Sequence, residues 1–331
     1  MALAWHLSSR PQGRPGPEHF DLRELGARPL AEDEVRVRNG WLSLDPAMRI
    51  RMNADTDGYQ PSFPIGEPLT GGGVGEVIES RSAKFAPGDK VQHMVGWRDE
   101  SVGPDTAFTK LPDYPVPDQY YLHHMGVIGF TAYVGLVKEA QPKAGETLFV
   151  SAAGGATGSA VVQIGKILGM RVVGSAGGVE KCAMVRELGA DAVIDYKAPG
   201  TMIDKLAAAA PEGVDVYFDN VGGDHLDAAL ALANMHARFS ISGMVGAYNG
   251  MAQGMELHHL MRVVYRRISI KGFIGRDNIA NYADFRRQMS EWIASGQVKS
   301  RETVRDGLEA MPAAFAEMFD GRVSGKMLVR L

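Results

Sequence analysis

Between about residues 123 and 298 the chain repeats one texture, a short apolar run followed by a helix-length segment. The apolar runs are TLFVSA, RVVGSA, DAVIDY, VDVYFDN, ARFSISG and ISIKGFI, and between most of them lie segments such as GSAVVQIGKILG, EKCAMVRELG and HLDAALALA. Short continuous apolar runs bounded by turn residues suit strands buried on both faces. Strands joined through helices run parallel, and right-handed crossovers place those helices on both faces of the sheet. The alternation therefore predicts an α/β domain, a doubly wound parallel sheet over residues 123–298.

The flanking regions read differently. Up to about residue 122, β-rich runs such as VRVRNGWLSL and GGVGEVIES alternate with Gly, Pro and Asp clusters, which predicts a mostly antiparallel β domain. A chain of 331 residues exceeds what one hydrophobic core comfortably serves, so two domains are expected. The last stretch carries one helical segment, GLEAMPAAFAEMFDG, with Pro312 inside it, and then the strand SGKMLVRL. That strand is expected to return to the first domain, making it discontinuous: 1–122 with 299–331, around 123–298.

Charge and cysteine content narrow the function. A net charge of -4 gives no broad pull on nucleic acid or anionic membrane, so the partners expected are small molecules or a second copy of the chain. The single cysteine, Cys182, excludes an intrachain disulfide and a zinc site of several thiolates, and fits a reducing cytoplasm. The opening MALAWHLSSRPQGRPG has no apolar core of signal-peptide length, and no run of roughly 18 apolar residues occurs, so neither secretion nor a membrane span is expected.

The strand TLFVSA runs into Ala152-Ala153-Gly154-Gly155-Ala156-Thr157-Gly158, with a helix expected from near Ala156. Against the pattern GxGxxG, Ala153 takes the first place and Gly155 and Gly158 the second and third. The second glycine lets backbone approach a pyrophosphate, and the third lets the helix pack on the strand. The helix N-terminus then offers unpaired N–H groups to phosphate oxygens. A Gly-rich string alone is weak in a chain with 40 glycines, but between strand and helix of a βαβ unit it marks a dinucleotide site. Gly155, Ala156, Thr157 and Gly158 are the residues assigned to it.

Where an NAD-binding chain carries an acid for the ribose hydroxyls, about 20 residues further on, this one has Ser175, Ala176, Gly177 and Gly178, then Lys181. An acid would repel a 2′-phosphate; small residues leave room for one and Lys181 supplies positive charge. NADP(H) is the expected cofactor. A lone lysine on a helix is ordinarily just solvated, and Lys181 gains weight only from the missing acid. Tyr196 either closes the same pocket with its hydroxyl or is a surface tyrosine.

Several further motifs accompany these. LSLDPAMRIRM (42–52), GVIGFTAYVGL (126–136), AAGGATGSAVVQIGK, EKCAMVRELGADAVIDYK, YFDNVGG and GAYN occur in that order, nearly end to end. Together they resemble the zinc-independent branch of the medium-chain dehydrogenase/reductase superfamily, in the group of prostaglandin reductases, leukotriene hydroxydehydrogenases and 2-alkenal double-bond reductases. The resemblance implies a Rossmann NADP-binding domain, a GroES-like catalytic domain and a homodimer. It also implies that Lys181 and Tyr196 bind the 2′-phosphate, that Asn220 lies near the dinucleotide and that Tyr248 lies beside the nicotinamide ribose. Ala47 stands where the group often has tyrosine, which widens the substrate pocket. Val127 and Ile128 replace Met and Pro near the substrate, and Val323 replaces an asparagine near the cofactor.

A zinc dehydrogenase needs converging Cys, His or acidic ligands. Adjacent histidines point apart on a helix or a strand, so the pairs His123-His124 and His258-His259 are read as helix surface or satisfied core, and no metal site is assigned. Without a metal the hydride acceptor must already be electrophilic, as an α,β-unsaturated ketone or aldehyde is: hydride adds to the β carbon while charge builds on the carbonyl oxygen. A positioned donor to that oxygen then suffices. Tyr248 is the candidate, acting directly or through the ribose 2′-hydroxyl, since a phenol with the ordinary pKa of about 10 stays protonated; from the residues alone, a tyrosine packed at the domain interface is an equal alternative. Tyr59, Met125 and Tyr265 are further pocket candidates, for which core packing is the commoner use. Phe273, Ile274 and Gly275 are candidates to offer backbone groups to the nicotinamide amide, and Arg276 for a phosphate or an exposed position. The function expected is NADPH-dependent reduction of activated C=C bonds. Its alternatives are quinone reduction on the same scaffold and a dinucleotide-binding protein with little catalysis.

Overall fold

The structure, a computed structural model, describes residues 2–54, 60–248 and 256–331. It divides into two units, Met1–Leu122 with Glu302–Leu331, and His123–Arg301. In the first, strands β1 (Ala2–Leu7) and β2 (Phe20–Leu25) pair antiparallel. They are followed by β3 (Glu34–Ser43), the short helix α1 (Met48–Arg51), β4 (Gly73–Ser80), β5 (Lys90–His93), β6 (Glu100–Pro104) and β7 (Phe108–Lys110). The alternation VRVR puts Val35 and Val37 inward, against Val77, Phe85, Val91 and Phe108. Arg36, on the other face, pairs across the strands with Glu79 at 3.0 Å.

The second unit begins with α2 (Val127–Tyr133), and its strands and helices then alternate: β8 (Thr147–Val150), α3 (Ala156–Ile167), β9 (Arg171–Ala176), α4 (Val179–Glu187), β10 (Ala192–Asp195), α5 (Met202–Ala209), β11 (Val214–Asp219), α6 (Gly223–Ala231) and β12 (Ala233–Ile241). Helix α7 (Arg262–Arg266), β13 (Ser269–Gly272) and α8 (Tyr282–Ala294) complete it. The strands form one parallel sheet in the order β10-β9-β8-β11-β12-β13. This is the Rossmann order, whose reversal between β8 and β11 opens a crevice at the C-terminal strand ends. Every residue of β8 is buried, whereas all four of the edge strand β13 are exposed. Among the described residues, no helix is long and apolar enough to cross a membrane.

The chain then re-enters the first unit with β14 (Glu302–Asp306), α9 (Met311–Phe319) and β15 (Lys326–Arg330); β15 pairs parallel with β14 and antiparallel with β3. The single helix anticipated over GLEAMPAAFAEMFDG is instead a 3-10 turn, Leu308–Ala310, followed by α9. Pro312 thus stands in the first turn of α9 rather than inside a helix, where its missing N–H forfeits no intrahelical bond.

His93 on β5 is buried in this first unit, its Nδ1 accepting from the Val95 N–H at 3.1 Å. The proton therefore sits on Nε2, which donates to Asn39 Oδ1 at 2.8 Å. Burial, reinforced by Arg98, depresses its pKa to about 3. The unfolded chain takes up a proton there that the folded chain refuses, so stability is fully present above about pH 6.5 and lost as pH falls toward the folded pKa. A His93→Gln variant is expected to show a smaller drop in urea midpoint between about pH 7 and about pH 5 than the parent; an equal drop would exclude His93 as the source.

Candidate active site

The Gly-rich turn closes by a Gly155 N–H bond to Ala152 O at 2.9 Å, with Ala152 in the left-handed region at φ 48°. Gly155 caps α3, and Ser159 N–H returns to its carbonyl at 2.9 Å. The N–H groups of Ala156, Thr157 and Gly158 therefore stand at a helix start with no intrahelical acceptor. A Cβ on Gly158 would lie 2.2 Å from Ala152 O, so only glycine lets α3 come this close to the end of β8. Ala153, at the place of the first glycine, is accommodated across the sheet: Gly174 on β9 has no side chain, and a Cβ there would meet the Ala153 methyl at 2.9 Å.

At the ends of β9 and β10 the expected pocket takes shape. Lys181 runs past Gly154, whose Cβ would touch its Cβ and Cδ at 3.5 and 3.6 Å. Tyr196 lies over Gly177, where a Cβ would be 2.6 Å from its hydroxyl and 3.0 Å from Lys197 Cε. Burial, and then the nearby Lys197, push the Lys181 pKa below its ordinary value. Among the described residues neither lysine makes an ion pair or hydrogen bond through its ammonium. Asp195 is close in sequence, but its Oδ1 accepts from the Gly178 and Lys197 N–H groups, both at 2.9 Å. Two unpaired cations beside a phenol and a bare glycine fit an anion of phosphate size. Lys197 escaped the sequence reading, although it directly follows Tyr196 in DAVIDYK. Ser175 is fully buried, and its hydroxyl meets His225 Nε2 at 2.8 Å.

At the crevice, Asp219 ends β11 in full burial, and its Oδ1 accepts from Ser151 Oγ, Tyr217 Oη, Val221 N–H and Gly222 N–H at 2.7 to 2.9 Å. Asn220 donates its backbone N–H to Ser151 Oγ and its side-chain Nδ2 to Ser151 O, each at 2.8 Å. The turn after β8 and the turn after β11 are thereby one hydrogen-bonded unit. The segment after β12 joins it: Ser242 and Gly243 donate to Asp219 O, and Val245 donates to Asn220 O at 3.0 Å. Tyr248 folds back so that its hydroxyl would be 2.7 Å from a Cβ on Gly243. Asn220 and Tyr248 are thus brought to the same strand ends.

The other candidates fall in several elements. Phe273 packs on Phe218 at 6.0 Å and fills the space beside Gly135, and Gly275 is buried against Thr131 and Phe130. Ile274 is partly buried and Arg276 is exposed. Val127 is exposed and Ile128 partly buried in the first turn of α2, while Met125 is fully buried. Tyr265 is exposed on α7. In the first unit Ala47 caps α1, and Val323 packs against the apolar cluster around Phe315 and Trp97. Tyr59 lies outside the described residues.

The histidines correct one expectation. His123 and His124 do not point apart, because they lie in a turn rather than on a helix or strand, and their Nδ1 atoms meet at 2.8 Å in the core. His258 is exposed, and His259 bonds Asp227 through Nδ1 at 2.9 Å. Among the described residues no group of three or more His, Cys, Asp or Glu side chains is placed to hold a metal ion.

Residues 4–111 match the family model described as the N-terminal domain of oxidoreductase, and residues 156–295 the model described as zinc-binding dehydrogenase. The chain is 40% identical to the NADPH-dependent curcumin reductase of Escherichia coli K12, over 99% of its own length and 96% of that protein. It is also 40% identical to the NADP(+)-dependent 2-alkenal reductase of Nicotiana tabacum, over 96% and 94% of the two chains. The chain belongs to the zinc-independent medium-chain dehydrogenase/reductases. Within that family, the crystal structure of CurA from Vibrio vulnificus in complex with NADPH matches it with a TM-score of 0.93 at 39% identity, covering 99% of this chain and 98% of that one.

The steric fit of the Gly-rich turn can be tested directly. Gly158→Ala forces α3 off β8 and is expected to lower stability by about 1–3 kcal/mol. Gly155→Ala, whose Cβ would meet Ala152 O at 3.2 Å, should be milder. Thermal midpoints of the two variants check the order.

Proposed function

We propose that the protein is an NADPH-dependent reductase of activated carbon-carbon double bonds in α,β-unsaturated ketones and aldehydes, and that it works in the cytoplasm as a homodimer. The observation that carries the cofactor choice is the pocket of Lys181, Tyr196 and Lys197 over Gly177, with no acid at the end of β9. In this proposal residues 155–158 at the start of α3 hold the pyrophosphate, and Lys181, Tyr196 and Lys197 hold the 2′-phosphate. Asn220, Phe273 and Gly275 flank the nicotinamide half. Ile128 and Tyr265 border the substrate, residues 1–122 and 299–331, which include Ala47, serve as catalytic domain, and 123–298 bind the cofactor. Relatives named 2-alkenal reductase and curcumin reductase support the substrate class.

Bound NADPH supplies the hydride that adds to the β carbon. The chain's own task is to orient the enone and to stabilise the charge that builds on its carbonyl oxygen, and a proton from solvent then completes the product at the α carbon. Tyr248, tied to the crevice through Val245 and Asn220, donates the hydrogen bond to that oxygen. Rates with an enal, an enone and a quinone, each run with NADPH and NADH, should favour NADPH and the enal or enone. Tyr248→Phe should slow enone reduction by roughly tenfold to a hundredfold; an unchanged rate would remove Tyr248 from the mechanism.

The dimer proposal is supported by the edge strand β13, whose outer side pairs with no strand among the described residues, with Ile270 exposed on it and Leu260, Met261, Val264 and Tyr265 exposed in and before α7. An edge of this kind invites pairing with a twin strand across a two-fold axis. Light scattering should give twice the chain mass, and a stable monomer would overturn the proposal.

A further inference from the structure

Tyr196 is half exposed, and a phenol in that situation ordinarily samples several rotamers. Its backbone is anchored, since its N–H donates to Ala176 O at 3.1 Å and its carbonyl accepts from Lys205 Nζ at 3.3 Å. The ring itself rests on His225, edge to face, with centroids 5.8 Å apart and planes at 74°. His225 in turn is buried in the first turn of α6 and held from two sides. Its Nε2 meets Ser175 Oγ at 2.8 Å, and its ring lies parallel to Phe149 at 6.3 Å and 8°. Ser175 and Phe149 are both fully buried, so the plane of the imidazole is set by the sheet itself. Burying an imidazole costs desolvation that an aliphatic side chain would avoid, and the Ser175 bond offsets part of it.

We propose that His225 is a positioning residue for cofactor selectivity: it holds the Tyr196 ring so that the hydroxyl stays over Gly177, beside Lys197, where a 2′-phosphate is received. The proposal rests on the assignment of that pocket to NADPH. It also gives the buried Ser175 hydroxyl a use, one step removed from the cofactor. The effect falls on the phosphate alone, so NADH, which lacks it, should be indifferent to His225.

Calorimetric titration with NADPH and NADH separates the outcomes without relying on turnover. In His225→Leu the Kd for NADPH should rise roughly three- to tenfold while that for NADH is unchanged. His225→Phe, which keeps a ring against Tyr196, should retain most of the NADPH affinity, and His225→Leu made in a Tyr196→Ala background should add no further loss. If the Leu variant does not fold, His225→Gln, which keeps a donor for Ser175 but lacks the ring, carries the same expectation. Equal weakening toward both cofactors, an unchanged NADPH Kd, or a full effect persisting without Tyr196 would overturn the proposal alone. A parent protein with no preference for NADPH would overturn the pocket assignment and the proposal with it.

Discussion

The close approach of α3 to the end of β8 is the constraint from which the rest of the site hangs. It exists because Gly158 presents no side chain to Ala152 O, and because Ala152 accepts a left-handed conformation to make the turn. With the helix seated there, its first N–H groups face the crevice where the strand order reverses, which is where a parallel sheet of this kind receives ligands. Ser151, one residue earlier, then serves two loops at once. Its hydroxyl donates to Asp219 and accepts from Asn220, so the turns after β8 and β11 keep a fixed relation.

Acidic groups around the crevice are engaged inward. Asp219 gathers four donors on one carboxylate oxygen, and Asp195 takes two backbone N–H groups. Charge-assisted bonds of this type are among the stronger ones available, and they organise the loops through one oxygen of each carboxylate, Asp219 Oδ2 staying buried without a hydrogen-bond partner. Among the described residues neither Lys181 nor Lys197 forms an ion pair through its ammonium, and Asp195 is near enough to Lys197 for that charge to help hold its carboxyl low. A pocket with net positive charge thus arises in a chain whose overall charge is negative. Local arrangement, not composition, decides what anion is welcome.

Much of this was legible from residue order. The alternation of apolar runs with helical segments announced the parallel sheet, because burial on both faces leaves a continuous apolar pattern in each strand. The Gly-rich turn was legible because the job of Gly158 is steric and local: no Cβ fits against Ala152 O. Pro312 misled, since periodicity across GLEAMPAAFAEMFDG could not reveal that the first residues form a 3-10 turn and the proline begins a new helix. His123 and His124 misled as well, because the rule that neighbours diverge holds only on regular elements.

By itself, the sequence determined the order of the elements, the Gly-rich turn between β8 and α3 and the absence of an acid at the end of β9, since each depends on residues within a few positions of one another. Only the tertiary structure decided which side chains share the pocket. Ser175 and His225 are 50 residues apart in the chain, and the Tyr196 ring reaches His225 from a third element. Contacts of that kind follow from how helices settle on the sheet, and no local pattern encodes them. The same packing seats the buried Ser175 hydroxyl against His225.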